Sequence, residues 1–149
     1  ISIEQSESAV YEAKKVGLAT YASFMIGLPG ETEEDLKATM NFALRLPLDY
    51  VDFSIAMPYP ETELYHMARE RGLLKGDPWR EFAKNPDPEF LIPYWEERLN
   101  REELEEKLGD LFRSFYLRPR YIVKTLFSMG SWGEFKRKFR AGVRVILRI

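Results

Sequence analysis

Two short turns carry the residues whose types and spacing bear on chemistry. Gly27-Leu28-Pro29-Gly30 follows an apolar run, Phe24-Met25-Ile26, and leads into Glu31-Thr32. Thirty residues later Pro58-Tyr59-Pro60 leads into Glu61-Thr62. A glycine turn at a helix start usually offers an anion site, because free backbone N–H groups and the helix dipole favour negative charge. Here Glu31, Glu33, Glu34 and Asp35 crowd that terminus, satisfy the dipole internally and repel phosphate. Neither GxGxxG nor GxxxxGK is present, so nucleotide phosphate binding is not expected. A ligand loop of another kind and a plain hinge between strand and helix both stay open.

The other titratable residues give less. His66 is the one histidine, between Tyr65 and Met67 in mid-helix, and no partner for a metal site or a Ser-His-Asp arrangement is placed near it in sequence. It reads as a surface or edge residue. Glu33-Glu34, Glu96-Glu97 and Glu102-Glu103 are adjacent pairs that point to different sides of a helix, and they read as solvated faces and capping charge. There is no cysteine, hence no disulfide, zinc-thiolate site or cysteine-held cluster within the chain.

The elements that must position the turns follow from periodicity. Ile3, Ala9, Val10, Ala13 and Val16 recur at helical spacing up to Gly17. Thr20 to Gly27 reads as a strand covered on both faces. Thr32 with Asp35 opens a second helix carrying Leu36, Met40 and Ala43, which Pro47 ends. Tyr50 to Met57 is a second strand, followed by a helix through Leu64, Ala68 and Arg71. The unit is written twice, and such alternation predicts an α/β arrangement with parallel strands. Side-chain parity puts Tyr21, Ser23, Met25 and Gly27, with Asp52, Ser54 and Ala56, on one face, where a ligand approaches, and Ala22, Phe24 and Ile26 under helices. Ligands of parallel α/β folds sit beyond the carboxyl ends of the strands, which here are Gly27–Gly30 and Pro58–Thr62.

A complete barrel of this kind takes about 250 residues, so residues 1–74 are expected to be the last βα units of a partial TIM-like barrel. Residues 75–99, with Pro78, Pro86, Pro88, Pro93 and five aromatic residues, are expected to be a linker whose rings plug a core or an edge. Residues 100–149 are expected to form a helical extension: Asn100 with Glu103 opens a helix, a shorter one runs through Ile122 and Leu126, and Ser131 starts the last.

Net charge is −2, but it is split: 12 basic against 23 acidic residues precede Arg113, and 10 basic against one acidic follow from there. The basic end either packs on the acidic body or seeks an anionic surface. In the final helix Phe135, Phe139, Val143 and Ile146 lie opposite Arg137, Arg140, Arg144 and Arg148, a division that suits docking on the body first and peripheral membrane contact second. No apolar run spans a membrane and no secretory signal opens the chain, so a cytoplasmic piece of a longer protein is expected. A cut barrel exposes strand edges, through which copies can self-associate.

FMIGLPGET after a strand, with PYPETEL at the end of the next, resembles the later half of the radical S-adenosylmethionine (radical SAM) core. The likeness covers Ile1 to about Leu74. It is greatest to members with a cobalamin-binding domain, of the magnesium-protoporphyrin ester oxidative cyclase type; FYLRPRYIVKTL and the basic last helix resemble their extension more loosely. In that family a GxIxGxxE motif lines the adenine side of the cofactor. By position its first glycine falls on Ser23, its isoleucine on Met25, its second glycine on Gly27 and its acid on Glu31, displaced by one residue at Pro29. Pro58, Pro60 and Thr62 belong to the turn that helps hold the adenosyl group. Where members often have glycine in PYPGTEL, this chain has Glu61.

The resemblance implies a parent enzyme that cleaves S-adenosylmethionine reductively at a 4Fe-4S cluster and abstracts hydrogen from an unknown small molecule. It implies cobalamin, if any, in a domain upstream, and the missing N-terminal part of the same protein as the partner. Lacking CxxxCxxC, this chain is expected to supply barrel wall and part of the adenosyl site, with no catalytic residue, metal ligand or nucleic-acid role. The rival expectation is a non-catalytic module docking on an anionic membrane or partner through its basic last helix.

Overall fold

The computed structural model describes residues 1–127. In chain order these form α1 (Ile3–Lys15), β1 (Tyr21–Ile26), α2 (Glu33–Arg45), β2 (Tyr50–Ile55), α3 (Glu63–Glu70), α4 (Pro78–Lys84), α5 (Arg101–Tyr116) and α6 (Pro119–Phe127). The expected last helix from Ser131 lies outside the described residues.

Helix starts follow side chains that can take a free amide. Ser2 with Gln5, Thr32 with Asp35 and Asn100 with Glu103 form reciprocal capping boxes on α1, α2 and α5, each contributing about 1 kcal/mol. Thr62 caps α3 through the amide of Tyr65. The segment 75–99, expected to be continuous linker, contains α4, because Asp77 accepts the Arg80 amide and Pro78 occupies the first turn, where its missing N–H costs nothing.

The two strands pair in parallel, with Tyr21 opposite Tyr50 and Ile26 opposite Ile55. The result is a mixed α/β unit whose described sheet has two strands. Alternation gives that sheet two unlike faces. Ala22/Val51, Phe24/Phe53 and Ile26/Ile55 lie under α2 and α5 with Leu36, Ala43, Leu104, Leu111 and Phe115. Phe53 stacks on Phe24 at 5.5 Å and meets Phe112 edge-on at 5.4 Å. Fully burying such a side chain contributes about 1.5–3 kcal/mol, so this face anchors the unit. The other face carries Tyr21, Ser23, Met25, Tyr50, Asp52 and Ser54, with Tyr21 63% and Met25 49% exposed.

A second cluster gathers Ala56, Tyr65, Ala68, Leu74 and Trp95, with Trp79 packed against it. Trp95, 2% exposed, shows the aromatic segment filling the gap between β2 and α3.

Asp49 ties the amino ends of the strands together. Its carboxylate accepts from the Thr20 amide at 2.8 Å, the Thr20 hydroxyl at 3.2 Å, Lys124 at 2.7 Å and Lys14. Burial works to raise this carboxyl, but the hydrogen bonds from Lys124, Lys14 and the Thr20 amide outweigh it and hold Asp49 well below the usual carboxylate range. One side chain thereby joins α1, the residue that leads into β1, and α6.

Candidate functional site

At the carboxyl ends of the strands the chain leaves β1 through Gly27, whose φ of +72° suits a residue without a side chain. A Cβ there would lie 3.0 Å from Leu104 Cδ2 and 3.5 Å from Ile55 Cγ2. The left-handed turn thus takes Gly27 out of the strand alternation: its bare side touches the core, whereas Ser23 and Met25 stay on the exposed face. Gly30, with φ +75°, closes the turn.

The amides of this turn are consumed by carboxylates. Glu31 accepts the Gly27 N–H at 2.6 Å. Burial pushes the Glu31 carboxyl up; the Gly27 and Leu28 amides partly offset this, and Asp35 adds to the rise. Glu97 accepts the Gly30 N–H at 3.0 Å, the Trp95 indole N–H at 3.1 Å and the Arg71 guanidinium. The Gly30 amide is the main cause holding Glu97 below the usual range. Pro29 has no N–H to give. What remains on the turn is carbonyl oxygen and negative charge, an arrangement that accepts N–H donors and positive groups and excludes phosphate.

The second turn is joined to the first by the strap that follows α4. Trp95 N–H donates to the Ala56 carbonyl at 3.0 Å, and its indole reaches Glu97. Trp79 Nε1 donates to the Pro58 carbonyl at 2.8 Å and its ring stacks on Tyr59 at 5.1 Å. Pro58 is fully buried, Pro60 is exposed, and the Thr62 hydroxyl donates to the Tyr59 carbonyl at 2.6 Å. Glu61 has φ +62°, the backbone state glycine adopts freely, at a cost of about 1–2 kcal/mol for a residue with a Cβ. Its carboxylate lies 3.8 Å from the His66 ring, and both side chains are largely exposed.

Between the first turn and the strap is a cavity of about 230 Å³, lined by Gly27, Glu31, Leu36, Trp95, Glu97 and Leu104 among others. Of the residues singled out from sequence, Gly27 and Glu31 line it; Ser23 and Met25 stand on the open sheet face, and Pro58, Pro60 and Thr62 shape the neighbouring turn. Glu97, which reads in sequence as half of a solvated pair, is the residue that sequence reasoning missed. Its partners Gly30 and Arg71 are 67 and 26 residues away, so no local pattern marks it. Among the described residues no group of three or more His, Asp or Glu side chains is placed to hold a metal ion, and no helix is long and apolar enough to cross a membrane.

No family model matches the chain. It is 38% identical, over 97% of its length, to an uncharacterized methyltransferase of Pyrococcus horikoshii. It is 28% identical over 54% of its length to the bacteriochlorophyllide d C-8(2)-methyltransferase of Chlorobaculum tepidum. Over 81% of its length it is 25% identical to the anaerobic magnesium-protoporphyrin IX monomethyl ester cyclase of Rubrivivax gelatinosus. The chain spans 30%, 18% and 20% of these three proteins, so it is similar to one part of longer proteins named as methyltransferases and a cyclase.

Proposed function

We propose that this chain is part of a radical SAM enzyme, supplying two βα units of a barrel wall and one side of the S-adenosylmethionine site. The observation that carries the reading is the Gly27–Gly30 turn at the carboxyl end of a parallel strand, with its amides already taken by Glu31 and Glu97. A turn left with acceptors and negative charge fits a nucleoside that has no phosphate and bears an amine and a sulfonium. The Ser23, Met25, Asp52 and Ser54 face, uncovered among the described residues, supports a lumen side, and the similarity over 97% of the chain to a named methyltransferase supports the same class.

In this reading the Gly27 turn and the Pro58–Thr62 turn hold the adenosyl group, with Ser23 and Met25 beside it on the lumen face. Bound S-adenosylmethionine supplies radical hydrogen-abstraction chemistry when it is reduced at a 4Fe-4S cluster. The residues present do not fit that cluster, since the chain has no cysteine; its ligands belong to another part of the protein, as does any cobalamin domain. The substrate is a small molecule, and peripheral membrane contact belongs to the basic C-terminal end.

Calorimetric titration of the complete gene product with S-adenosylmethionine tests the reading. Binding is expected, and it weakens in Ser23→Val, on the open face, more than in Ala22→Val, under the helices. No binding, or the reverse order, overturns it. Reconstitution of the present chain alone with iron and sulfide is expected to give no cluster absorbance after desalting.

A further inference from the structure

The open face of the β1–β2 sheet is built in layers. Going up the strands, Tyr21 stands opposite Tyr50, Ser23 opposite Asp52 and Met25 opposite Ser54. Asp52 is the one charged side chain of the six. Aspartate is depleted in strands, and the middle of Tyr50–Ile55 offers it neither a helix amide to cap nor a turn to close. Its side chain is half-buried even though nothing covers this face among the described residues.

Nothing in the unit balances that carboxylate. Asp49 is met by Lys14 and Lys124, Glu97 by Arg71, Glu33 by Lys107, and Glu31 by the Gly27 amide. Asp52 forms no hydrogen bond or ion pair among the described residues. The hydroxyls beside it give their protons elsewhere, Ser23 to the Tyr21 oxygen at 3.2 Å and Ser54 to the Phe24 carbonyl at 3.5 Å. The sequence around the two strands has the same bias. From Val16 to Leu36, and again from Leu46 to Ala68, the chain holds four acidic residues and no lysine or arginine. The strands and both ligand turns therefore bring negative charge without a cation of their own.

A carboxylate shut away from water is costly unless an opposite charge meets it, and in such surroundings its field reaches further than in water. A bound cation supplies what the wall lacks. S-adenosylmethionine carries a sulfonium; its thioether analogue, S-adenosylhomocysteine, differs from it by one methyl group and one positive charge. We infer that Asp52 is a specificity-determining residue of the S-adenosylmethionine site, favouring the sulfonium over the neutral thioether. The inference rests on the proposed function, and it adds a charge preference and the side chain that sets it. Ser23, directly across the sheet, lies beside the adenosyl group in that reading, which brings Asp52 to the same depth.

Calorimetric titration of the complete gene product with each of the two ligands tests this. Wild type is expected to bind S-adenosylmethionine more tightly than S-adenosylhomocysteine. Asp52→Asn is expected to reduce that preference about 10-fold, the scale of one charge-assisted contact, chiefly by weakening the sulfonium ligand. Asp52→Glu keeps the charge and is expected to keep most of the preference. Asp110→Asn removes an equal charge from exposed α5, where Asp110 pairs with Arg113, and is expected to leave the preference unchanged. An unchanged preference in Asp52→Asn overturns the inference, as does an equal loss of affinity for both ligands or an equal effect of Asp110→Asn. If the preference holds while the urea midpoint falls, Asp52 belongs to an ion pair with another part of the same protein. Tight binding with an unchanged preference removes the inference alone; no binding of S-adenosylmethionine by wild type removes the functional reading and the inference together.

Discussion

Carboxylates hold both ends of the strand pair, but in opposite ways. At the amino ends Asp49 is neutralised by Lys14 and Lys124 and closes on Thr20. At the carboxyl ends Glu31 and Glu97 accept backbone amides of one turn, and Arg71 pairs with Glu97. The first arrangement clamps distant elements. The second fixes the shape of a turn and leaves its surroundings electronegative. That division suits a parallel α/β unit, in which the amino-end face serves stability and the carboxyl-end face serves ligands.

The largest test of the contrast is Asp49→Ala, which leaves two lysines and the Thr20 amide without their acceptor. A loss of about 3 kcal/mol is expected from removing one partner of a largely buried pair, read as a lower midpoint in urea denaturation. A loss under that of any carboxyl-end variant would mean the clamp is at the other end. Acid sharpens the point. Because the folded carboxyl of Asp49 lies below its unfolded value of about 3.9, its contribution is complete above that pH and is lost as pH falls toward the folded value. Wild-type and Asp49→Ala stabilities are therefore expected to converge below about pH 4.

Gly27→Ala is expected to cost less, about 2 kcal/mol, from its left-handed backbone and the contact with Leu104. Glu61→Gly is expected to stabilise by about 1 kcal/mol by relieving the positive φ; an unchanged midpoint would mean the turn relaxes around Glu61. Smallest of all, Glu97→Gln is expected to leave the midpoint nearly unchanged while speeding amide exchange at Gly30. Equal exchange in both proteins would remove Glu97 from the control of the turn.

What could be read in advance was whatever is local. The Thr32–Asp35 and Asn100–Glu103 caps, both strands and the parity of Ser23 and Met25 are written within a few residues, and all are present. The strands end one or two residues sooner than expected, because Gly27 turns left-handed and Ala56 pairs with Trp95. Helix α4 was signalled by Asp77-Pro78, a cap followed by a first-turn proline, but the surrounding prolines obscured it. The Asp49 and Glu97 nodes join residues up to 75 positions apart, a separation at which a single sequence carries no pairing signal.

The Tyr116 hydroxyl of α5, which donates to the Val51 carbonyl of β2 at 2.6 Å and accepts the Val51 N–H at 3.0 Å, sets an order in time. Val51 leaves the ribosome 65 residues before Tyr116, and at roughly 5–20 residues per second that interval lasts about 3–13 s. For those seconds the Val51 amide and carbonyl are without the hydroxyl that later satisfies them both. Synthesis speed between α3 and α5, rather than the final energy of any contact, then governs how long a newly made chain can be captured by a neighbour.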